Sequence, residues 1–325
     1  MKKLETSFAG LTLKNPFIVS SCSLTNTAQR NKKWEDAGAS AVVLKSLFEE
    51  EIEAELAKAQ QDGHSEELDY LQTYYRAHRL ENYLQLIKDT KQVCSIPVIG
   101  SINCYRSSDW TSFARHIEEA GADALELNIM SICSSLNDSY GAYEQEHINI
   151  LKQVKSALNI PVIVKLGRNF TNCVPLIDQL YANGAAAVVL FNRMVAFDIN
   201  IEKLSYAQGN ALGQSNDLSE VLRWTGLVSA RVPRLDIAAS GGVTDGASLV
   251  KALLAGASAV EVCSALYWNG AGCIQDMLHF LQEWMERHDY QSVSQFRGLL
   301  NARKENALDM FERTQFFKNY SLRND

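Results

Sequence analysis

The 325-residue chain has no excess of basic residues: 31 Lys and Arg stand against 38 Asp and Glu, giving a net charge of −7. A nucleic-acid footprint would be basic, so no nucleic-acid partner is expected. No run of 18 apolar residues occurs, and no transmembrane helix or membrane partner is expected. The opening Met1-Lys2-Lys3-Leu4-Glu5 lacks the apolar stretch of a signal peptide. The seven cysteines (Cys22, Cys94, Cys104, Cys133, Cys173, Cys263 and Cys273) are odd in number and form no C-x-x-C pair. Reduced thiols and a cytoplasmic location follow as the simplest expectation, and an iron–sulfur centre carried by this chain alone is not expected. No linker or low-complexity segment interrupts the sequence, so residues 1–325 are expected to form one domain.

What is present is repetition. Gly38-Ala39-Ser40-Ala41-Val42, Gly121-Ala122-Asp123-Ala124-Leu125, Gly184-Ala185-Ala186-Ala187-Val188 and Gly256-Ala257-Ser258-Ala259-Val260 share the pattern G-A-x-A-[VL]. Each follows an amphipathic stretch and opens a short apolar run. Glycine suits the left-handed position that ends a helix, and the small alanines allow a tight passage into a strand. Ile96-Pro97-Val98-Ile99 and Ile160-Pro161-Val162-Ile163 repeat a second phrase. Repeated helix-to-strand junctions mean repeated βα units and a parallel sheet.

Eight strands are predicted: 17–21, 41–45, 97–102, 124–129, 161–166, 187–191, 236–240 and 259–263. All are nearly continuously apolar, as strands covered on both faces should be. Between them, Val174, Ile177, Leu180 and Tyr181 mark one helix face over 174–183. Leu249, Leu253 and Leu254 mark another, and Met277, Leu278, Leu281, Trp284 and Met285 a last one over 274–287. Eight strands alternating with helices predict an α/β fold, a TIM (β/α)8 barrel. Three stretches exceed a minimal barrel, at 48–79, 129–146 and 192–215, and each follows a strand. They are expected to lie over the carboxyl ends of the strands, where barrel chemistry resides.

The strand ends read Ser20-Ser21-Cys22, Lys45-Ser46, Ser101-Ile102-Asn103, Asn128, Lys165, Asn192-Arg193, Ser240-Gly241-Gly242 and Cys263-Ser264. A lysine at the end of a buried strand is costly unless it meets a partner or a polar cavity. Two lysines and three asparagines at equivalent places therefore mark a site. No His-x-His or carboxylate cluster occurs on these ends, and no metal site is expected. Gly241 and Gly242 follow the seventh strand and Cys263 and Ser264 the eighth, the ordinal place at which barrels bind phosphate through backbone N–H groups.

Lys45-Ser46, Leu125-Glu126-Leu127-Asn128, Pro161-Val162-Ile163-Val164-Lys165-Leu166, Ser240-Gly241-Gly242-Val243 and Leu254-Ala255-Gly256-Ala257 together resemble the dihydroorotate dehydrogenase family of FMN-dependent barrels. Leu190-Phe191-Asn192-Arg193 and Leu222-Arg223-Trp224 resemble its "dihydroorotate dehydrogenase-like" branch. The resemblance covers nearly the whole chain. It implies a soluble FMN oxidoreductase of pyrimidine biosynthesis, which oxidises dihydroorotate or a similar cyclic imide by hydride transfer to flavin N5. Ser20 and Ser21 would lie against the flavin, Lys45 and Lys165 would contact its ribityl chain and pyrimidine edge, and Ser46 would join them. Asn103 and Asn128 would bond the ring or substrate. Gly241, Gly242, Cys263 and Ser264 would hold the phosphate, and Asn128, Asn192 and Arg193 would face substrate. The partners expected are a small-molecule substrate and a second copy of the chain in a homodimer.

The sequence departs from the family at the base. Soluble members place a Cys three residues after the asparagine that ends strand four; here that position is Ser131, with Cys133 two residues further. These two are the candidate catalytic residues. The Gly-, Pro- and Asn-rich loop after strand two is replaced by 66–79, and Arg193 stands where many members have Ser. Two other readings stay open on the residues alone: a Schiff-base aldolase using Lys165 or Lys45, and an FMN-binding protein without catalysis.

Overall fold

Residues 3–48, 68–103, 107–130, 132, 134–303 and 311 are described by the computed structural model of the chain. They form, in order, β1 (Thr6–Phe8), β2 (Leu11–Leu13), β3 (Phe17–Val19), α1 (Ala28–Asp36), β4 (Ala41–Val43), β5 (Leu47–Phe48), α2 (Leu68–Val93) and β6 (Val98–Asn103). Next come α3 (Ser107–Glu119), β7 (Ala124–Asn128), α4 (Ala142–Lys155), β8 (Val162–Leu166), α5 (Cys173–Ala182), β9 (Ala187–Leu190), β10 (Phe197–Asn200) and β11 (Ser205–Gln208). The chain continues through α6 (Leu218–Arg231), β12 (Asp236–Ser240), α7 (Gly246–Ala255), β13 (Ala259–Val262), α8 (Ser264–Asn269) and α9 (Gly272–Arg287). Strands β3, β4, β6, β7, β8, β9, β12 and β13 pair in parallel in that order, and β13 returns to β3. The expected (β/α)8 barrel is thus present, with each of its eight strands within a residue or two of its predicted limits.

The four G-A-x-A phrases perform the junctions assigned to them. Gly38, Gly121, Gly184 and Gly256 have φ of +110°, +97°, +96° and +118°. They follow α1, α3, α5 and α7 and lead into β4, β7, β9 and β13. A side chain is strained at such φ values, whereas glycine adopts them freely.

The barrel has two apolar layers. Val42, Leu125, Leu127, Val162, Val164, Val260 and Val262 point outward to helix residues such as Leu253, Leu281 and Trp110. Ile18, Val43, Ile99, Ile163 and Val189 fill the interior. The amino-terminal end of the barrel is closed by the β1–β2 hairpin, which the sequence reading did not foresee. Its Phe8 and Leu13 are fully buried among the interior residues. Ala9 Nα donates to Asp236 at 3.0 Å and Thr6 Oγ1 to Ser258 O at 2.9 Å, fixing the plug to the last two barrel strands.

Some expectations are corrected. In α5, Cys173, Leu176, Ile177 and Leu180 are buried, but Tyr181 is exposed and Val174 only half-buried. The helix turns Tyr181 past the edge of the face that its sequence spacing suggested. In α9, Met277, Leu281 and Met285 are buried while Leu278 and Trp284 are half-buried. Residues 68–79 belong to α2, a barrel helix, rather than to a loop; residues 49–67 lie outside the described residues. The 192–215 stretch folds into the antiparallel β10–β11 hairpin.

Candidate active site

Strand alternation brings the predicted residues together. Along β8, Val162 and Val164 face the helices, so Ile163 and Lys165 face inward. The same period puts Glu126 two residues after the interior Ala124, and Glu261 two after Ala259. Above the apolar interior layer the barrel is therefore polar.

Lys165 is 5% exposed and is held by acids. Its Nζ donates to Glu261 Oε2 at 2.7 Å and to Ser20 Oγ at 3.0 Å, and lies 3.6 Å from Glu126 Oε1. Ser20 Oγ donates to Glu261 Oε2 at 3.0 Å, and Ser101 Oγ to Glu126 Oε1 at 3.2 Å. Burial opposes the charge of Lys165, but Glu126 and Glu261 outweigh it and hold its pKa above the ordinary lysine value. Glu126 is pushed up to about 8, first by burial and then by the charge of Glu261. A Schiff-base lysine needs the reverse, a depressed pKa and a free amine. The aldolase reading of Lys165 therefore fails.

One cavity at the carboxyl ends of the strands is lined by Ser20, Ser21, Lys165, Asn192, Arg193, Gly241, Gly242, Cys263 and Ser264, together with Glu261. Nine of the residues expected at the site thus share one wall. Ser46 joins from behind: its N–H donates to Ser21 Oγ at 2.9 Å, and its hydroxyl lies 2.7 Å from that of Ser101. Asn128 reaches the cavity through Asn192, whose Nδ2 donates to Asn128 Oδ1 at 2.6 Å. Asn103 is buried at the end of β6, and Lys45 follows β4 with its ammonium 5.5 Å from the Phe48 ring centroid. Ser131 and Cys133 lie outside the described residues.

Arg193 is tied to its own loop. Its Nη1 donates to Asn210 O at 2.9 Å and its Nε stands 3.6 Å from Asp217 Oδ2. Gly213 Nα donates to Ser264 Oγ at 2.8 Å, so the segment beyond the hairpin also borders the cavity. The thiols of Cys22 and Cys263 act on each other: a hydrogen bond from Cys263 lowers the pKa of Cys22, while that bond and burial raise the pKa of Cys263.

The Gly241-Gly242 turn lines the cavity and requires glycine at both positions. φ is +102° and +75°. A Cβ on Gly242 would collide with the Leu218 backbone, and one on Gly241 would lie 2.8 Å from Arg168 Nη2. Behind this turn the guanidinium of Arg168 pairs through Nη1 with Asp217 and Glu220 at 3.3 and 3.4 Å, while its buried Nε and Nη2 have no hydrogen-bond partner. A cation with spare donors beside a glycine turn suits a phosphate ester. The lysine, serine and amide groups nearby suit a polar ring. The donor set therefore fits flavin mononucleotide.

The sequence reading missed Glu126 and Glu261 as the acids that hold Lys165, and Arg168 as the cation behind the glycine turn. The signal was present for the acids: Ala124-Leu125-Glu126-Leu127 and Ala259-Val260-Glu261-Val262 each put a charge inside an apolar strand, as Lys165 does.

With this geometry in place, comparison with known proteins assigns the chain. Residues 3–285 match the family described as Dihydroorotate dehydrogenase, and the chain belongs to that family. Its members are generally flavin-dependent oxidoreductases. The chain is 27% identical over 315 residues to the catalytic subunit of dihydroorotate dehydrogenase B (NAD(+)) of Thermoplasma volcanium, which covers 92% of this chain and 99% of the relative. It is likewise 27% identical over 319 residues to that of Thermoplasma acidophilum, covering 92% and 99%. The corresponding Methanosarcina acetivorans subunit is 29% identical over 312 residues, covering 90% and 94%. All three relatives are named as catalytic subunits, a description that points away from a simple homodimer. Among the described residues, no helix is long and apolar enough to cross a membrane, and no group of His, Cys, Asp and Glu could hold a metal ion.

Proposed function

We propose that this chain oxidises dihydroorotate, or a closely similar cyclic imide, across its CH–CH bond, with FMN as the flavin and within pyrimidine biosynthesis. The observation that carries the proposal is Lys165, a buried cation held at the wall of a cavity bordered by the Gly241-Gly242 turn. Bound FMN would supply the two-electron acceptor. The remaining chemistry falls to the chain. Lys165 presents positive charge to an electron-rich ring edge, in a site too dry to screen it. Asn128 and Asn192 hold one another's amides and offer both donors and acceptors to an imide. Gly241 and Gly242, with Arg168 behind them, receive the phosphate. Ser131 takes the substrate proton, in the position where the family's soluble members use a cysteine. The relatives' names support a second proposal, that the chain is a catalytic subunit and works with another polypeptide.

The test is reconstitution followed by reduction. The purified chain is expected to bind one FMN per polypeptide in preference to riboflavin or FAD. Anaerobic dihydroorotate should then bleach the flavin absorbance. Failure to take up FMN would remove the cofactor assignment, while FMN uptake with no bleaching by dihydroorotate would remove the substrate.

A further inference from the structure

Two buried glutamates and one lysine leave the wall of the cavity with an unbalanced charge. The side chains of Glu126 and Glu261 are fully buried and that of Lys165 is 6% exposed. If both acids are ionised, the cluster carries a net charge of −1. Each carboxyl uses one oxygen: Glu261 Oε2 for Lys165 and Ser20, and Glu126 Oε1 for Ser101 and the ion pair. The other two, Glu261 Oε1 and Glu126 Oε2, are buried and have no hydrogen-bond partner. An unsatisfied buried carboxylate oxygen is among the costliest features a protein interior can hold. The two carboxyl groups nevertheless converge on one ammonium, with Glu261 Oε2 at 2.7 Å and Glu126 Oε1 at 3.6 Å from Lys165 Nζ. One proton held by the pair neutralises the cluster and leaves only one ionised acid beside Lys165.

We propose that Glu126 and Glu261 share a single proton at neutral pH, and that this proton sets how much of the Lys165 charge is available to a flavin in the cavity. With the proton present, the acids carry one negative charge between them, which Lys165 balances. With it absent, they carry two, and Lys165 is outweighed. Negative charge arriving on a ligand beside Lys165 raises the affinity of the pair for the proton. At pH values where the pair has lost its proton, electron transfer from substrate to flavin is then accompanied by uptake of one proton from water onto the pair. Both acids are thus positioning residues, acting on the flavin through Lys165.

No other group near the cluster is placed to take this role. Tyr83 of α2 faces Glu126, but its hydroxyl donates to Ser101 O at 3.0 Å and accepts from Ser101 Nα at 2.7 Å, and burial raises its pKa. Cys22 and Cys263 feel Lys165, yet they are engaged with each other. Ser20 and Ser101 do not titrate. The inference that a proton is shared stands on the chain alone; its effect on the flavin rests on the cofactor reading above.

The two parts are tested separately. In flavin-free protein, infrared difference spectra across a pH jump from about 6 to about 9.5 should show the C=O stretch of a protonated carboxyl group disappearing. That band should be lost from Glu126→Gln and also from Glu261→Gln, because either change leaves a single acid ionised beside Lys165. A band lost from only one variant, or no titrating band in the wild type, would overturn the shared proton. If a variant does not fold, the wild-type band alone decides. In FMN-loaded protein, the midpoint potential of the wild type should fall more steeply above about pH 8, by one extra proton per two electrons. Glu261→Gln should lose that added slope. Identical slopes in the two proteins would overturn the link to the flavin while leaving the cofactor assignment intact.

Discussion

Lys165 is the residue on which stability and chemistry meet. Its ammonium is the counter-charge for Glu126 and Glu261, so Lys165→Ala leaves buried acids without a partner. Breaking a buried ion pair in this way costs about 3–5 kcal/mol, which a urea titration should register as a lower midpoint. Flavin that still binds should have a midpoint potential lower by tens of millivolts, because a two-electron couple moves about 30 mV for each 1.4 kcal/mol and a lost charge-assisted hydrogen bond is worth about 1.5–3 kcal/mol. An unchanged or raised potential would exclude the role. The proposed base makes a second prediction. Ser131→Ala should abolish flavin bleaching by dihydroorotate, and Cys133→Ala should leave it nearly intact. Ser131→Cys should move the rate optimum to lower pH, because a thiol ionises far more readily than a hydroxyl. Stopped-flow bleaching measured across pH checks all three variants.

At the scale of elements, α1 is pinned to the segment before β6 by one carboxylate. Glu35 accepts from the N–H and hydroxyl of Ser95 at 2.9 and 2.5 Å and pairs with Lys32 at 2.9 Å. Burial opposes its ionisation, but the Ser95 bonds and Lys32 prevail and lower its pKa to about 2. A lowered carboxylate pKa contributes stability that is complete above the unfolded value of about 4.3 and is lost as pH falls toward 2. Glu35→Gln should therefore flatten the acid side of the stability curve and leave the alkaline side alone, as denaturation midpoints between about pH 3 and 7 would show. Six of the eight barrel strands were legible as apolar runs announced by a G-A junction or an Ile-Pro-Val-Ile phrase, and β3 and β12 as apolar runs alone. The β1–β2 hairpin was not. Its strands are three residues long, and its turn is Ala9-Gly10, with φ of +52° and +78°. Two positive φ values make a type I′ turn, for which Asn-Gly is the usual signal and Ala at the first position a poor one. The hairpin still matters to the core: Phe8→Ala should cost about 3–5 kcal/mol, read as a lowered urea midpoint. The β10–β11 hairpin escaped notice for a different reason. Its alternation of Phe197 and Ile199 implies a buried face, yet both side chains are exposed.

At the scale of the molecule, that exposed face presents apolar side chains at the surface. The register pairs Phe197 with Gln208 and Ile199 with Tyr206, so Phe197, Ile199 and Tyr206 share one face, and Ile201 and Leu204 are also exposed at the turn. Contiguous apolar patches of this kind mark sites of contact with other chains. Phe197→Ser with Tyr206→Ser should lower the assembled mass seen by light scattering while leaving the circular dichroism unchanged. The plug at the opposite end of the barrel has a consequence in time. Its hydrogen-bond partners, Asp236 and Ser258, lie 227 and 252 residues further along the chain. At about 5–20 residues per second, ribosomal synthesis keeps Phe8 and Leu13 waiting roughly 10–50 s for their seat. Throughout that interval they are apolar side chains on a nascent polypeptide, and folding ends where translation began.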